Sequence, residues 1–234
     1  ADGGVAIAFT GEAFTAGDTQ MFVRALVDGQ AASPSDIELV AEGFSGTRAF
    51  TFIKPDVPAG THTVTIQWHG TAGQTSHVGD RTLSVAAAPI VTKHGGVLVH
   101  AAPSGPDQTT TSTGWADVPH MVAHPATAAN SSLAITFSSE LKGSLKAPVF
   151  VRALVDGQPA EPADVLFVTG ESWGSRSFTF TRTGLSAGPH EVRFQWRVNS
   201  GGTGLIGDHT MALSYWRAEP AEWNAPAFDL KPVV

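Results

Sequence analysis

A chain of 234 residues that is 42% apolar and 15% charged has enough apolar content for a packed core, which excludes disorder as the default state. The formal charge of -7, with no basic run, excludes the footprint of a nucleic-acid binder, and no apolar run reaches the length of a membrane span. Cysteine is absent, which excludes a disulfide scaffold, thiolate metal sites and a cysteine nucleophile.

The opening Ala1-Asp2-Gly3-Gly4 has neither a basic start nor an apolar segment. A mature chain cut after a small residue looks like this, as does a trimmed one, and a secreted, extracellular or cell-surface location is expected.

The first element is the alternating run 5–9, with Val5, Ile7 and Phe9 on one face, the pattern of a half-buried strand. Residues 11–18 read as a loop. Residues 21–27 form a second strand, stopped by the turn pair Asp28-Gly29. Short strands follow at 37–40, 48–53, 63–68 and 78–85, separated by Gly, Pro and Asp. Helical periodicity is not sustained anywhere in this stretch, and regular short strands with turn punctuation mark a sandwich or jelly roll.

The nine residues Phe22-Val23-Arg24-Ala25-Leu26-Val27-Asp28-Gly29-Gln30 then recur letter for letter, 128 positions on, from Phe150 to Gln158. At the same interval Ile7-x-Phe9-x-x-Glu12 returns as Ile135-x-Phe137-x-x-Glu140, Gln67-Trp68 as Gln195-Trp196, and Gly79-Asp80-x-Thr82 as Gly207-Asp208-x-Thr210. Roughly two positions in five are identical between 3–86 and 131–214 without a gap, which marks an internal duplication. The expected fold is all-β: two tandem duplicated β-sandwich domains of jelly-roll or immunoglobulin-like type. Residues 1–88 form the first repeat, 89–114 a linker with one extra strand near 96–100, 115–215 the second repeat, and 216–234 a tail. The second repeat has a lead-in carrying an anchoring Trp115. The first repeat has no such lead-in within the sequence and is one strand short.

Each group that suggests chemistry also has a structural reading. Gly170-Glu171-Ser172-Trp173-Gly174 matches a serine-hydrolase pattern, but a strand rather than a helix is expected after it, so no elbow exposes Ser172. His62 and His190 follow a turn glycine and read as strand-edge hydrogen bonders. His94, His100, His120 and His124 surround the lead-in. His120 and His124 on one strand would stand about 13 Å apart and cannot chelate one ion together. His100 with either of them lacks a visible third ligand. Asp28, Asp156, Asp80 and Asp208, with Arg24 and Arg152, recur in pairs and read as turn formers and ion pairs rather than as duplicated catalytic carboxylates. Arg24 and Arg152 share a row with Phe22 and Leu26 or their equivalents, so burial against a carboxylate is expected. Trp68 and Trp196 are expected in the cores. Trp173, Trp216 and Trp223 fall outside the apolar rows and offer sugar-stacking surface.

No enzyme, metal or cofactor is expected. The leading reading is a secreted structural subunit that polymerises head to tail with itself, through donation of the C-terminal tail into the first repeat. Trp223, Phe228, Leu230 and Val233 supply the donor strand, and Phe228 and Leu230 have period-two spacing. The alternative is a carbohydrate-binding or adhesive module that contacts glycans through Trp173 and Trp216.

Overall fold

The computed structural model describes residues 3–16, 19–41, 46–71, 73, 75–89, 95–101, 106–144, 147–168, 170–199 and 201–217. These residues are all-β, in several sheets, with no helix among them. The first repeat contributes β1 (Gly3–Thr15), β2 (Gln20–Val27), β3 (Gln30–Ala31), β4 (Ile37–Ala41), β5 (Gly46–Val57), β6 (Val64–Gly70) and β7 (Ser76–Pro89). Between the repeats run β8 (Gly95–Ala101), β9 (Gln108–Thr110), β10 (Ala116–Ala123) and β11 (Ala126–Thr127). The second repeat contributes β12 (Ser131–Gly143), β13 (Val149–Val155), β14 (Gln158–Pro159), β15 (Val165–Val168), β16 (Gly174–Leu185), β17 (Gly188–Pro189), β18 (Val192–Val198) and β19 (Gly204–Arg217).

The two repeats pair their strands in the same register. Ile7 faces Phe52 and Val85 across β5-β1-β7, and Ile135 faces Phe180 and Leu213 across β16-β12-β19. Val23 faces Trp68, as Val151 faces Trp196. In each case one sheet turns its apolar row toward the other. Ile7, Phe9, Phe50 and Phe52 meet Met21, Val23 and Leu39 in the first repeat. Ile135, Phe137, Phe180 and Leu213 meet Val151, Phe194 and Trp196 in the second. Burying an aromatic or aliphatic side chain of this size contributes about 2 kcal/mol, so these rows set which face turns inward.

Three differences from the sequence reading have physical causes. β1 runs on through the expected loop to Thr15, because it is the central strand and pairs with β5 and β7 on both sides; a bulge between Gly11 and Ala13 absorbs the irregular sequence. The polar stretch before Trp115 contains β9, which pairs with β19 through backbone groups that need no apolar side chains. Arg24 is exposed rather than buried, and Arg152 is half-buried. Met21, Val23, Ala25 and Val27 face the core instead, and a shift of one residue exchanges every side chain between faces. The purely apolar row takes the inside, and the row holding arginine takes the outside.

The segment between the repeats completes the second one. β8 pairs with the outer edge of β19, and β10 pairs with the outer edge of β18. Trp115, just before β10, lies under the guanidinium of Arg152 at 4.4 Å and that of Arg197 at 5.0 Å, which anchors the lead-in. Asp117 on β10 accepts from Arg193 at 3.1 Å and from Gln195 at 2.8 Å on β18.

The repeats also touch each other. β5 of the first lies against the outer face of β12 and β19: the Thr51 N–H donates to Ser138 Oγ at 3.0 Å, and the Thr210 hydroxyl donates to the Thr51 carbonyl at 2.6 Å. A single bridge, Gly174 to Val40, links β16 to β4 across the repeat boundary.

Candidate functional site

The site is the edge of β6 in the first repeat, which no described strand other than β2 flanks. In the second repeat β18 is an inner strand, paired with β13 on one side and β10 on the other. Its counterpart β6 pairs with β2 alone among the described residues. An edge strand leaves a row of backbone donors and acceptors free to pair with another chain.

The side chains follow the backbone. Trp196 is 2% exposed, because Val118, Met121 and Ala123 of β10 turn into the core beside it. Trp68, the same residue in the same register, is 48% exposed, which corrects the expectation that both tryptophans are core residues. On the facing sheet, Met211 and Leu213 are fully buried, whereas their counterparts Leu83 and Val85 are 47% and 46% exposed. Val64 and Ile66 are only half-covered. The sandwich of the first repeat is thus open between β6 and β7, along an apolar groove with a tryptophan at its lip. Arg24, Asp36 and the stretch from Ile66 to His69 line an open cleft of about 500 Å³ along the same edge.

The outer face beside the groove is polar. Arg24 Nε donates to Gln67 Oε1 at 2.9 Å, as Arg152 Nε does to Gln195 at 3.0 Å. Gln195 and Arg193 also hold Asp117 of β10, a contact with no counterpart beside Gln67 and Thr65 among the described residues. This face would receive an incoming strand with hydrogen bonds rather than with charge.

Each copy of the repeated nine-residue stretch is pinned near its C-terminal end by a histidine. Asp28 and Asp156 turn at φ 49° and 51°, followed by Gly29 and Gly157 at 78° and 76°, where a missing Cβ matters. His62 Nδ1 meets Asp28 Oδ2 at 2.6 Å and His190 Nδ1 meets Asp156 Oδ2 at 2.6 Å. The other ring nitrogen faces a carbonyl, Pro58 at 2.8 Å or Ser186 at 3.1 Å. A ring between two acceptors is satisfied only when both nitrogens carry protons. The hydrogen bond to Asp28 accordingly raises the pKa of His62. At His190 burial works the other way, but the bonds to Asp156 and Ser186 outweigh it, and the pKa is still raised. Both aspartates are held below the usual carboxylate range, chiefly by these histidines. Because the His190 ring is buried and the His62 ring is not, His190→Ala is expected to cost about 2 kcal/mol by stranding hydrogen-bond partners, and His62→Ala distinctly less. Equal shifts in melting temperature would contradict this.

The other residues singled out above are scattered. Ser172 lies in a bend, and the chain continues as strand β16, so the helix of a nucleophile elbow is not there. No labelling of Ser172 by a fluorophosphonate probe is expected; rapid labelling seen by mass spectrometry would restore the hydrolase reading. Trp173 is half-buried, with Lys142 Nζ 4.8 Å from its ring centre, and Trp216 is 46% exposed at the end of β19. Asp80 is exposed and Asp208 half-buried. Among the described residues no cluster of histidine and carboxylate side chains could hold a metal ion. His94 and the tail residues Trp223, Phe228, Leu230 and Val233 lie outside the described residues.

The sequence reading passed over Glu140. Its counterpart Glu12 is exposed, but Glu140 is covered by β4 of the first repeat. One of its oxygens accepts the Glu38 N–H, and the other accepts the Asp208 N–H at 3.4 Å. Burial, with the nearby charges of Asp208 and Glu38, pushes its pKa up to about 7.

No protein-family model matches the chain, and no curated protein sequence matches it. Among solved structures it is similar to VP2 of infectious bursal disease virus in a subviral particle, at 10% identity and a TM-score of 0.34, over 91% of this chain and 60% of that one. The infectious bursal disease virus Gt strain structure gives 10% identity and a TM-score of 0.36, over 93% and 63%. The insecticidal delta-endotoxin Cry8Ea1 from Bacillus thuringiensis gives 10% identity and a TM-score of 0.33, over 84% and 42%. The chain spans about three fifths of the length of the viral proteins it matches. Overlaps this loose carry no argument about function.

Proposed function

We propose that this chain is a non-enzymatic structural subunit of a secreted, extracellular filament or surface assembly, built as two tandem duplicated β-sandwich modules. The C-terminal tail of one copy pairs with β6 of the next and fills the groove of its first repeat. One observation carries this reading: Trp68 is exposed where its register twin Trp196 is buried, and β10, which lies beside Trp196, has no counterpart beside Trp68 among the described residues. An added strand supplies ladder hydrogen bonds and alternate side chains for the groove. The tail holds Trp223, Phe228, Leu230 and Val233, with Phe228 and Leu230 two apart, as a strand filling one face requires. A head-to-tail contact of this kind is heterologous and propagates unless a ring closes.

The test is deletion of residues 222–234, with light scattering and electron microscopy of the product. The full chain polymerises with rising concentration, the deleted chain stays monomeric, and a synthetic 222–234 peptide blocks growth of the full chain. A full chain that remains monomeric at high concentration, or a deleted chain that assembles as before, removes the proposal. Trp216, 46% exposed, is what favours the alternative of glycan binding. Loss of binding to a glycan array on Trp216→Ala, with no polymers seen, would select it.

A further inference from the structure

We infer that the first-repeat groove is built for a bulkier strand than β10, and that it takes residues 226–230 in a fixed register, with Phe228 against Ile66 and Leu230 against Val64. This rests on the strand-donation reading and makes it specific.

The second repeat is an internal template. There β10 runs antiparallel to β18, with Ala116 opposite Trp196 and Ala123 opposite Val192. Its inward residues Val118, Met121 and Ala123 suffice to close the core. The first repeat keeps Val64 and Trp68 at the positions of Val192 and Trp196 but shrinks its neighbours. Phe194 is replaced by Ile66, Leu213 by Val85 and Tyr215 by Ala87. The same three side chains of β10, only Met121 of them large, seated on this smaller lining would leave voids, and unfilled apolar volume is destabilising in proportion to its size. An occupant that restores close packing must carry larger groups at the inward positions.

Residues 226–230, Pro-Ala-Phe-Asp-Leu, answer that demand. Laid antiparallel to β6 without the bulge that interrupts β10 between Asp117 and Val122, they put Pro226 at Trp68, Phe228 at Ile66 and Leu230 at Val64. Phe228 replaces the aromatic volume lost at Phe194. Pro226, which lacks an N–H, falls at the beginning of the strand, where proline is tolerated. Ala227 and Asp229 face the polar side, over Gln67 and Thr65. The size step also separates the two grooves: β10 fits the second and underfills the first, whereas the tail fits the first and is too large for the second.

The chain has no cysteine of its own, so paired substitutions give unambiguous disulfides. In the full chain, Ile66→Cys with Phe228→Cys is oxidised and run on a non-reducing gel beside Ile66→Cys with Ala227→Cys. Cross-linking of the first pair and not the second is the expected result. A ladder of linked chains carries the filament reading with it, whereas a link closed within one chain upholds the register and sinks the filament. Polymers that form without either cross-link, or with both equally, overturn the register and leave strand donation standing. Absence of both polymers and cross-links overturns the two together. As a second variant, Ile66→Phe with Ala87→Tyr gives the first groove two of the three larger lining residues of the second. It is expected to raise the concentration needed for assembly at least tenfold while leaving the melting temperature of the subunit unchanged or higher. Assembly at the original concentration would show that groove size does not select the strand.

Discussion

Trp196→Ala is expected to destabilise the chain by about 4 kcal/mol in urea unfolding, the cost of emptying a packed aromatic site, and Trp68→Ala by less than about 1 kcal/mol. The two residues have the same neighbours in sequence, Gln67 and Gln195 before them, and the same partner positions, Val23 and Val151, on the adjoining strand. The cover differs most: β10 lies over Trp196, and no described strand lies over Trp68. Trp196 is packed under Val118 and Met121, and its removal leaves a cavity that the surrounding sheet cannot close. Trp68 already has half its surface in water, and its removal leaves a shallow notch. The ranking reverses when assembly is measured: Trp68→Ala is expected to abolish polymers of an otherwise stable subunit. Comparable unfolding costs at the two sites would mean that the first groove is filled in the free subunit.

Raising the pH from 4.5 to 8 is expected to remove on the order of 2–3 kcal/mol of stability through Glu140, and Glu140→Gln is expected to abolish that share of the loss. The folded chain holds the Glu140 proton up to about pH 7, whereas an unfolded chain releases it near 4.5. Between those values the folded state binds more protons, so its stability is fully present below about 4.5 and falls as pH rises through 7. Asp208, raised mainly by burial, acts in the same direction. The raised histidines His62 and His190 add a loss of the same sign above 6.5, so only the difference between wild type and variant isolates Glu140. Guanidine titrations at four pH values measure it, and a wild-type-minus-variant difference that is flat from pH 4.5 to 8 would place Glu140 in water.

The residues that repeat were legible in the sequence because pattern and turn chemistry are local. Alternation at Ile7, Phe9, Phe50 and Phe52 marked the inner face of the β5-β1-β7 sheet, and Asp28-Gly29 and Asp156-Gly157 marked the turns. At Arg24 the expected parity is reversed: Phe22 and Leu26 compete with Met21, Val23 and Ala25 for the inside, and the cost of desolvating a guanidinium turns the arginine row outward. The exposure of Trp68 and the burial of Glu140 were not legible at those positions, since Gln67-Trp68 and Glu12 read the same in both copies. Each depends on a strand distant in sequence, β10 at one and β4 at the other. The unequal surroundings of β6 and β18 were visible only by aligning the chain with itself.

The contact between the repeats has a direction. It joins an edge to a face: backbone groups at Thr51 on the rim of one sheet meet the hydroxyls of Ser138 and Thr210 on the flat side of the other. Giver and receiver are different surfaces, so two such units cannot satisfy each other reciprocally, and the pair is left with unlike ends. At the receiving positions the first repeat carries Thr10 and Thr82, hydroxyls again, half-buried and exposed. The chain is therefore polar along its length in the sense that a ratchet is, and a further copy of the first repeat placed before it would find the same two hydroxyls waiting.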